Sequence, residues 1–194
     1  SGFLTDYGTI KYDASLNPLD TIITAGPDGS FDVARAIAID ASGNIYVTGE
    51  SINGANFTDY LTIKYKPNGD TLWTRFKNGT ALNANDFGRG IVVDGKGNAF
   101  VTGYSSNVTD GITSDDYLTI RYDSSGNEKW TKTYNGKGNS SDQSGALSGN
   151  NTIAINASGQ LFVTGYATGT VTGNDYATIN YDTASGTAKW TAIY

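Results

Sequence analysis

Nineteen carboxylates, thirteen basic side chains and 13 tyrosines carry nearly all the reactive chemistry of this 194-residue chain, because histidine, cysteine and methionine are absent. Their absence removes thiol nucleophiles, disulfides, thiolate or imidazole zinc sites, haem ligation and every histidine-dependent triad. Three oxygen-based chemistries remain: a carboxylate pair cleaving a glycoside, carboxylates and carbonyls holding calcium, and aromatic rings beside acids and amides binding a sugar or protein. The closest acid pair, Asp115-Asp116, is adjacent in a strand-like segment, so its two side chains point to opposite faces. No Asp-x-Asp-x-Asp-Gly calcium loop is present. The residues singled out for ligand binding are therefore Glu50, Tyr104, Asp110, Asp115, Asp142 and Tyr166, with Asp86 beside them and the acids largely solvated. No catalytic residue and no dedicated metal ligand are assigned. No cofactor is expected, and calcium is the one ion the donor set would admit.

The elements that hold these residues follow from composition and repetition. Abundant glycine (25), 7 phenylalanines, 3 tryptophans and sparse charge read as an all-β chain with tight turns. The formal charge of −6 comes without any run of lysine or arginine, which speaks against nucleic-acid binding. No apolar stretch approaches the roughly 18 residues needed to cross a bilayer. Ser1 in place of an initiator methionine is expected of a processed or trimmed polypeptide.

Three motifs recur in fixed order. One occurs four times: Asp6-Tyr7-Gly8-Thr9-Ile10-Lys11-Tyr12, Asp59 to Tyr65, Asp116 to Tyr122, and Asp175 to Tyr181, in steps of 53, 57 and 59 residues. Between them lie Ala36 to Gly49, Gly90 to Gly103 and Thr152 to Gly165, and Trp73-Thr74, Trp130-Thr131 and Trp190-Thr191 close the units. Each unit reads as strands A (around Ala36 to Asp40), B (Ile45 to Gly49), C (the Asp-Tyr motif) and D (with the Trp). The turn Asp40-Ala41-Ser42-Gly43-Asn44 supplies a glycine for positive φ between A and B. Both faces of the strands are apolar, so the sheets must be covered on both sides, as blades stacked around an axis are.

The order Ile39 to Gly49, Asp59 to Tyr65, Trp73-Thr74 resembles the bacterial β-propeller repeat called SBBP. The resemblance implies a many-bladed propeller in a secreted or cell-surface bacterial protein, and no common catalytic activity. The expected architecture is an incomplete ring: a half-blade at 1–31 (strands C and D), then full four-stranded blades at 32–85, 86–141 and 142–194. The last unit departs from the pattern, since Asp142 to Asn151 reads as an insertion and Asn156 and Gln160 replace the Asp and Asn of its first turn. A local distortion or an extra loop is expected there.

Glu50 to Thr58, Tyr104 to Asp115 and Tyr166 to Asn174 read as long, irregular B–C loops, and Lys77 to Asn85 and Asn135 to Asn151 as D–A loops on the same face. That face is the expected recognition surface. Asp6, Asp59, Asp116 and Asp175 recur once per unit and read as turn caps or as bonding partners within the blade, and Arg35 and Arg89 as forming ion pairs or hydrogen bonds within the blade. Asp20-Thr21-Ile22, Asp70-Thr71-Leu72 and Asp182-Thr183-Ala184 resemble an O-glycan acceptor of bacterial surface glycoproteins, near C–D turns. The expected partners are a protein or glycan at a cell surface, other copies of the chain, or the remainder of the same protein. Open edges make self-association one of the outcomes. The expected function is non-enzymatic adhesion, recognition or surface assembly, with a carbohydrate-active enzyme or glycan binder as the alternative.

Overall fold

The computed structural model describes residues 5–26, 31–52, 57–81, 84–109, 112–145, 152–171 and 173–194. Among them are 14 strands and no helix. β1 (Tyr7–Tyr12) and β2 (Pro18–Thr24) form a hairpin. Three four-stranded antiparallel sheets follow: β3 (Asp32–Ile39), β4 (Ile45–Ile52), β5 (Thr58–Tyr65) and β6 (Thr71–Lys77); β7 (Asp86–Val93), β8 (Ala99–Thr109), β9 (Ile112–Tyr122) and β10 (Glu128–Tyr134); β11 (Ile153–Ile155), β12 (Gln160–Thr168), β13 (Asn174–Asp182) and β14 (Ala188–Ile193). This is the expected half-blade and three blades, stacked face to face without closing into a ring. The inner strands β3, β7 and β11 lie next to one another.

The turns explain the strand boundaries. Asp40 Oδ1 accepts the backbone N–H of Ser42 and of Asn44, each at 2.9 Å, and Gly43 takes φ 78°. Asp94 to Asn98 repeats this with Gly97 at φ 75°. The substituted turn Asn156 to Gln160 keeps the same form. The Asn156 side-chain oxygen accepts from Ser158 and Gln160 at 3.1 and 2.9 Å, with Gly159 at φ 75°. In the aspartate turns the second carboxylate oxygen accepts from Asn44 or Asn98 Nδ2, whereas here Asn156 Nδ2 donates to Gln160 Oε1, so the paired Asn and Gln replacements keep the turn closed.

Blades are joined by a tyrosine peg on strand C. The hydroxyls of Tyr7, Tyr60 and Tyr117 donate across the seam to the carbonyls of Leu61, Leu118 and Ala177 at 3.2, 3.1 and 3.5 Å. Each peg lies against a glycine of the next blade's strand B. A Cβ on Gly49, Gly103 or Gly165 would sit 2.7, 2.8 or 2.7 Å from the respective hydroxyl. The tryptophans form a second seam contact further out. Trp73 Nε1 donates to the Ser124 carbonyl at 3.3 Å and Trp130 Nε1 to that of Thr183 at 3.0 Å. Trp73 packs between Tyr46 and Tyr122, and Trp130 between Phe100 and Tyr181.

Burying a tyrosine ring removes roughly 150–250 Å² from water, about 4–6 kcal/mol gross at ~25 cal/mol per Å². The hydroxyl adds only about 1 kcal/mol net but fixes how far one blade slides on the next. Tyr60→Phe should lower unfolding stability by about 1 kcal/mol, whereas Tyr176→Phe, at an exposed hydroxyl, should leave it unchanged. Urea denaturation of both variants checks this, and equal midpoints would remove the peg from the seam's energetics.

Candidate functional site

The inner strands carry one irregularity that builds the site. In β3 the pairing passes from Ala34↔Gly49 to Ala36↔Thr48, which leaves Arg35 as an unpaired bulge residue. In β7 it passes from Gly88↔Gly103 to Gly90↔Thr102, leaving Arg89. An extra residue at a bulge turns its side chain out of the ladder's alternation. Arg35 and Arg89 both reach Glu50, the first through Nε at 2.8 Å and the second through NH1 at 3.6 Å. Arg89 also donates to the Tyr104 hydroxyl at 3.0 Å and lies over the Phe87 and Tyr104 rings. Both arginines thus pair within their own blade as expected, and Arg89 also spans the seam to the blade before it.

In the last blade this bulge is enlarged. Asp142, Gln143 and Ser144 take the places of Asp32, Val33 and Ala34, and the ladder resumes at Thr152, whose carbonyl accepts from Thr164 N–H at 2.9 Å. The insertion is therefore shorter than the expected Asp142 to Asn151. Asp142 belongs to the repeat, and the added residues, 146–151, lie outside the described ones.

The sequence-derived candidates sort clearly. Glu50, Tyr104 and Tyr166 occupy one equivalent position, each following the strand-B glycine and facing Val33, Phe87 and Gln143. They are strand residues. The expected loops Glu50 to Thr58, Tyr104 to Asp115 and Tyr166 to Asn174 are corrected to extended hairpins, in which β4 runs on to Ile52, β8 and β9 to Thr109 and Ile112, and β12 to Thr168. Ser, Thr and Asn, residues typical of loops, find ladder partners there. Asp115 accepts from Ser106 Oγ at 2.8 Å and from Gln143 Nε2 at 2.6 Å, beneath half-buried Tyr166. Burial, and then the negative charge of Asp115, raise the Tyr166 hydroxyl above its usual range. Asp110 lies outside the described residues.

The acids expected to be solvated are mostly buried, because they clamp the blades' connections. Asp32, Asp86 and Asp142 accept the backbone N–H of Gly26, Gly79 and Gly136, each two residues past the preceding blade's outer strand. Asp86 also holds Ser105 Oγ and Ser106 N–H, and Asp142 the N–H of Thr168 at 2.6 Å. Among the recurring acids, Asp59 and Asp116 are buried, and Asp116 accepts weakly from Ser114 Oγ of its own blade at 3.5 Å, the second of the two expected roles. Among the described residues no three acids converge as a metal site would require. The O-glycan candidates fall on unlike positions. Thr21 lies within β2 at the place of Thr74, Thr71 opens β6, and half-buried Thr183 lends its carbonyl to Trp130. The expected placement of Thr21 beside a turn is corrected, since the hairpin turns at 13–17.

Sequence reasoning missed the joint role of Arg35, Glu50 and Arg89 and the Asp115–Gln143 contact. The signal was present: each residue after Val-Thr-Gly or its counterpart falls on the same ladder rung, so Glu50, Tyr104 and Tyr166 are one position filled three ways.

Burial pushes Asp86 up to about 6, and burial followed by the charge of Asp142 does the same to Asp116. Both groups then hold protons in the folded state at pH values where the unfolded chain, near 3.8, has lost them. Stability should therefore rise as pH falls from about 7 to about 5, by on the order of 1–3 kcal/mol per group. Urea midpoints should be higher at pH 5 than at pH 7.5, and Asp86→Asn with Asp116→Asn should flatten the difference. Midpoints that fall on acidification through this window would contradict the assignment.

No curated protein matches the chain. Residues 29–58 and 79–110 each match the family model of SBBP, the beta-propeller repeat, and each match takes in the first two strands of a blade. With those two matched copies, and a third blade of the same strand order and turn chemistry, this chain carries the SBBP beta-propeller repeat.

Proposed function

We propose that this chain is a non-enzymatic propeller module of a secreted or cell-surface protein, and that it binds a protein or glycan on the face carrying the extended hairpins. One observation carries the reading. The same buried aspartate clamp, at Asp32, Asp86 and Asp142, fixes the base of that face in every blade, while the residues mounted above it differ from blade to blade. A rigid base with a varied rim is the geometry of recognition. The rim is rich in Ser, Thr, Asn and Gly, with Val108 and Val171 exposed among them, and suits a neutral partner with many hydroxyls or amides. Glu50 faces two guanidinium groups and Asp115 two donors, so neither acid is poised to protonate a leaving group or activate water.

Glycan and protein arrays probed with the intact chain should return a ligand. Val108→Asp with Thr113→Asp, on the exposed strands of the β8–β9 hairpin, should weaken that binding at least tenfold without changing the melting temperature. Glycoside hydrolysis lost on Asp115→Asn, or no ligand on either array, would replace this reading.

A further inference from the structure

The two seams between full blades can be compared position by position. Where the β3–β6 sheet meets β7–β10, the rim end is filled. Thr80 donates to Asn107 Oδ1 through its N–H at 3.2 Å and its hydroxyl at 3.1 Å, and Asn107 Nδ2 donates to the Ser105 carbonyl at 2.8 Å. Asn107, Ser105 and the neighbouring Ala81 are buried. Where β7–β10 meets β11–β14, Lys137, Gly169, Ala167 and Gly138 stand in the places of Thr80, Asn107, Ser105 and Ala81. Two matching bonds fix the correspondence: Ala81 N–H to the Ser106 carbonyl at 3.2 Å, and Gly138 N–H to the Thr168 carbonyl at 2.8 Å. With the asparagine side chain gone, a cavity of about 270 Å³ opens there.

Tyr134, Ala167 and Val171 give the lining its apolar part, and Lys137, Thr170 and Asp175 add a cationic donor, a hydroxyl and a carboxylate. The cavity lies just under the roughly 300–1,000 Å³ of clefts that take drug-sized ligands, so it admits one ring rather than a chain. We propose that it binds a single uncharged sugar ring, the terminal pyranose of a glycan, with the ring's C–H groups against Tyr134 and its hydroxyls bonded to Lys137, Thr170 and Asp175. The inference rests on the recognition reading of this rim and gives that reading its ligand.

Charge selects this occupant. An ammonium supplies three donors and a carboxylate about four acceptor sites, so neighbouring hydroxyls, each both donor and acceptor, can engage the two together. In so small a space a uronic acid or an amino sugar would meet a like charge as well as an opposite one. A wholly apolar ligand would cover both charges without offering them a partner. The turn carrying Lys137 is also held in advance. The Gly136 carbonyl accepts from Asn139 N–H at 3.1 Å, Gly138 is tied to Thr168, and the Thr168 hydroxyl donates to the Ser141 carbonyl at 2.7 Å. Tyr134 is set by its edge contact with buried Tyr117, ring centres 5.4 Å apart. A site fixed beforehand loses less freedom on binding.

Nuclear magnetic resonance titration of the intact, nitrogen-15-labelled chain tests this. The probes are the methyl glycosides of glucose, galactose, mannose and N-acetylglucosamine, with glucuronic acid and glucosamine as charged controls. At least one neutral glycoside should shift the amide signals of Gly136, Lys137 and Gly169 saturably, and the charged sugars should bind at least fivefold more weakly. Lys137→Thr with Gly169→Asn, which restores the side chains of the filled seam, should weaken binding at least tenfold. Lys137→Ala, at an exposed side chain, should weaken it at least threefold and serves if the double variant does not fold. No saturable shift with any glycoside, equal binding of the charged sugars, or undiminished affinity in Lys137→Ala would overturn the proposal. A ligand lost on Val108→Asp with Thr113→Asp but kept by Lys137→Ala would overturn this site and leave the recognition reading standing, whereas blank glycan and protein arrays would overturn both.

Discussion

The contact on which the stack depends is a tyrosine hydroxyl meeting a backbone carbonyl across two sheets, with a glycine cleared beneath it. Neither partner works without the other. A Cβ at Gly103 would lie 1.9 Å from the Phe87 carbonyl oxygen and 2.8 Å from the Tyr60 hydroxyl, so any other residue would push apart both its own blade and the seam. Large ring burial supplies the attraction, and the hydroxyl supplies the register. Because the peg recurs on every strand C, each blade is placed on the next by the same three-atom relation. The stack grows by repetition without any long-range device, as repeat architectures do.

The bulge in the inner strands turns that regular frame into something with chemistry. A perfectly alternating strand A would send Arg35 and Arg89 to one side of the sheet or the other. An extra residue releases them toward Glu50, where two cations meet one buried carboxylate. Buried ion clusters of this kind seldom add net stability, since desolvation offsets the attraction, but removing one member leaves an uncompensated charge. The third blade places Gly145 where the other two have arginine and enlarges the bulge instead, and its rung pairs Tyr166 with Gln143. Loss of the arginine and growth of the bulge fall at one position, the place where the ladder is already interrupted and extra residues disturb least pairing.

Much of the fold was legible because its determinants are local and repeated. The Asp-x-x-Gly-Asn turns, the Asp-Tyr strands and the Trp-Thr strands each state their structure within a few residues, and their order gave the blade count. What was not legible was the extent of the B–C hairpins. Strand β8 continues through Ser105, Ser106, Asn107 and Val108 against β9, and nothing in those polar side chains distinguishes a paired strand from a loop. The burial of the candidate acids was hidden for a related reason. Asp86 and Asp142 sit in segments that look hydrophilic, and only the folded chain brings the N–H groups of Gly79 and Gly136 back to them. Even so, the spacing held a clue, since each of those glycines follows its outer strand at the same distance as Gly26.

A division of labour follows from comparing equivalent positions within this one chain. Where the three blades keep the same residue, as at the strand-B glycines and the clamp aspartates, that residue serves the frame. Where they differ on the same rung, as at Glu50, Tyr104 and Tyr166, the frame constrains the backbone but not the side chain. One backbone position thus carries different partners: Tyr104 meets Arg89 at its hydroxyl in one blade, while Glu50 meets the same arginine from the blade before. The side chains that differ thus sit on the parts of the molecule that differ least, which places a varied rim precisely without making the blades themselves vary.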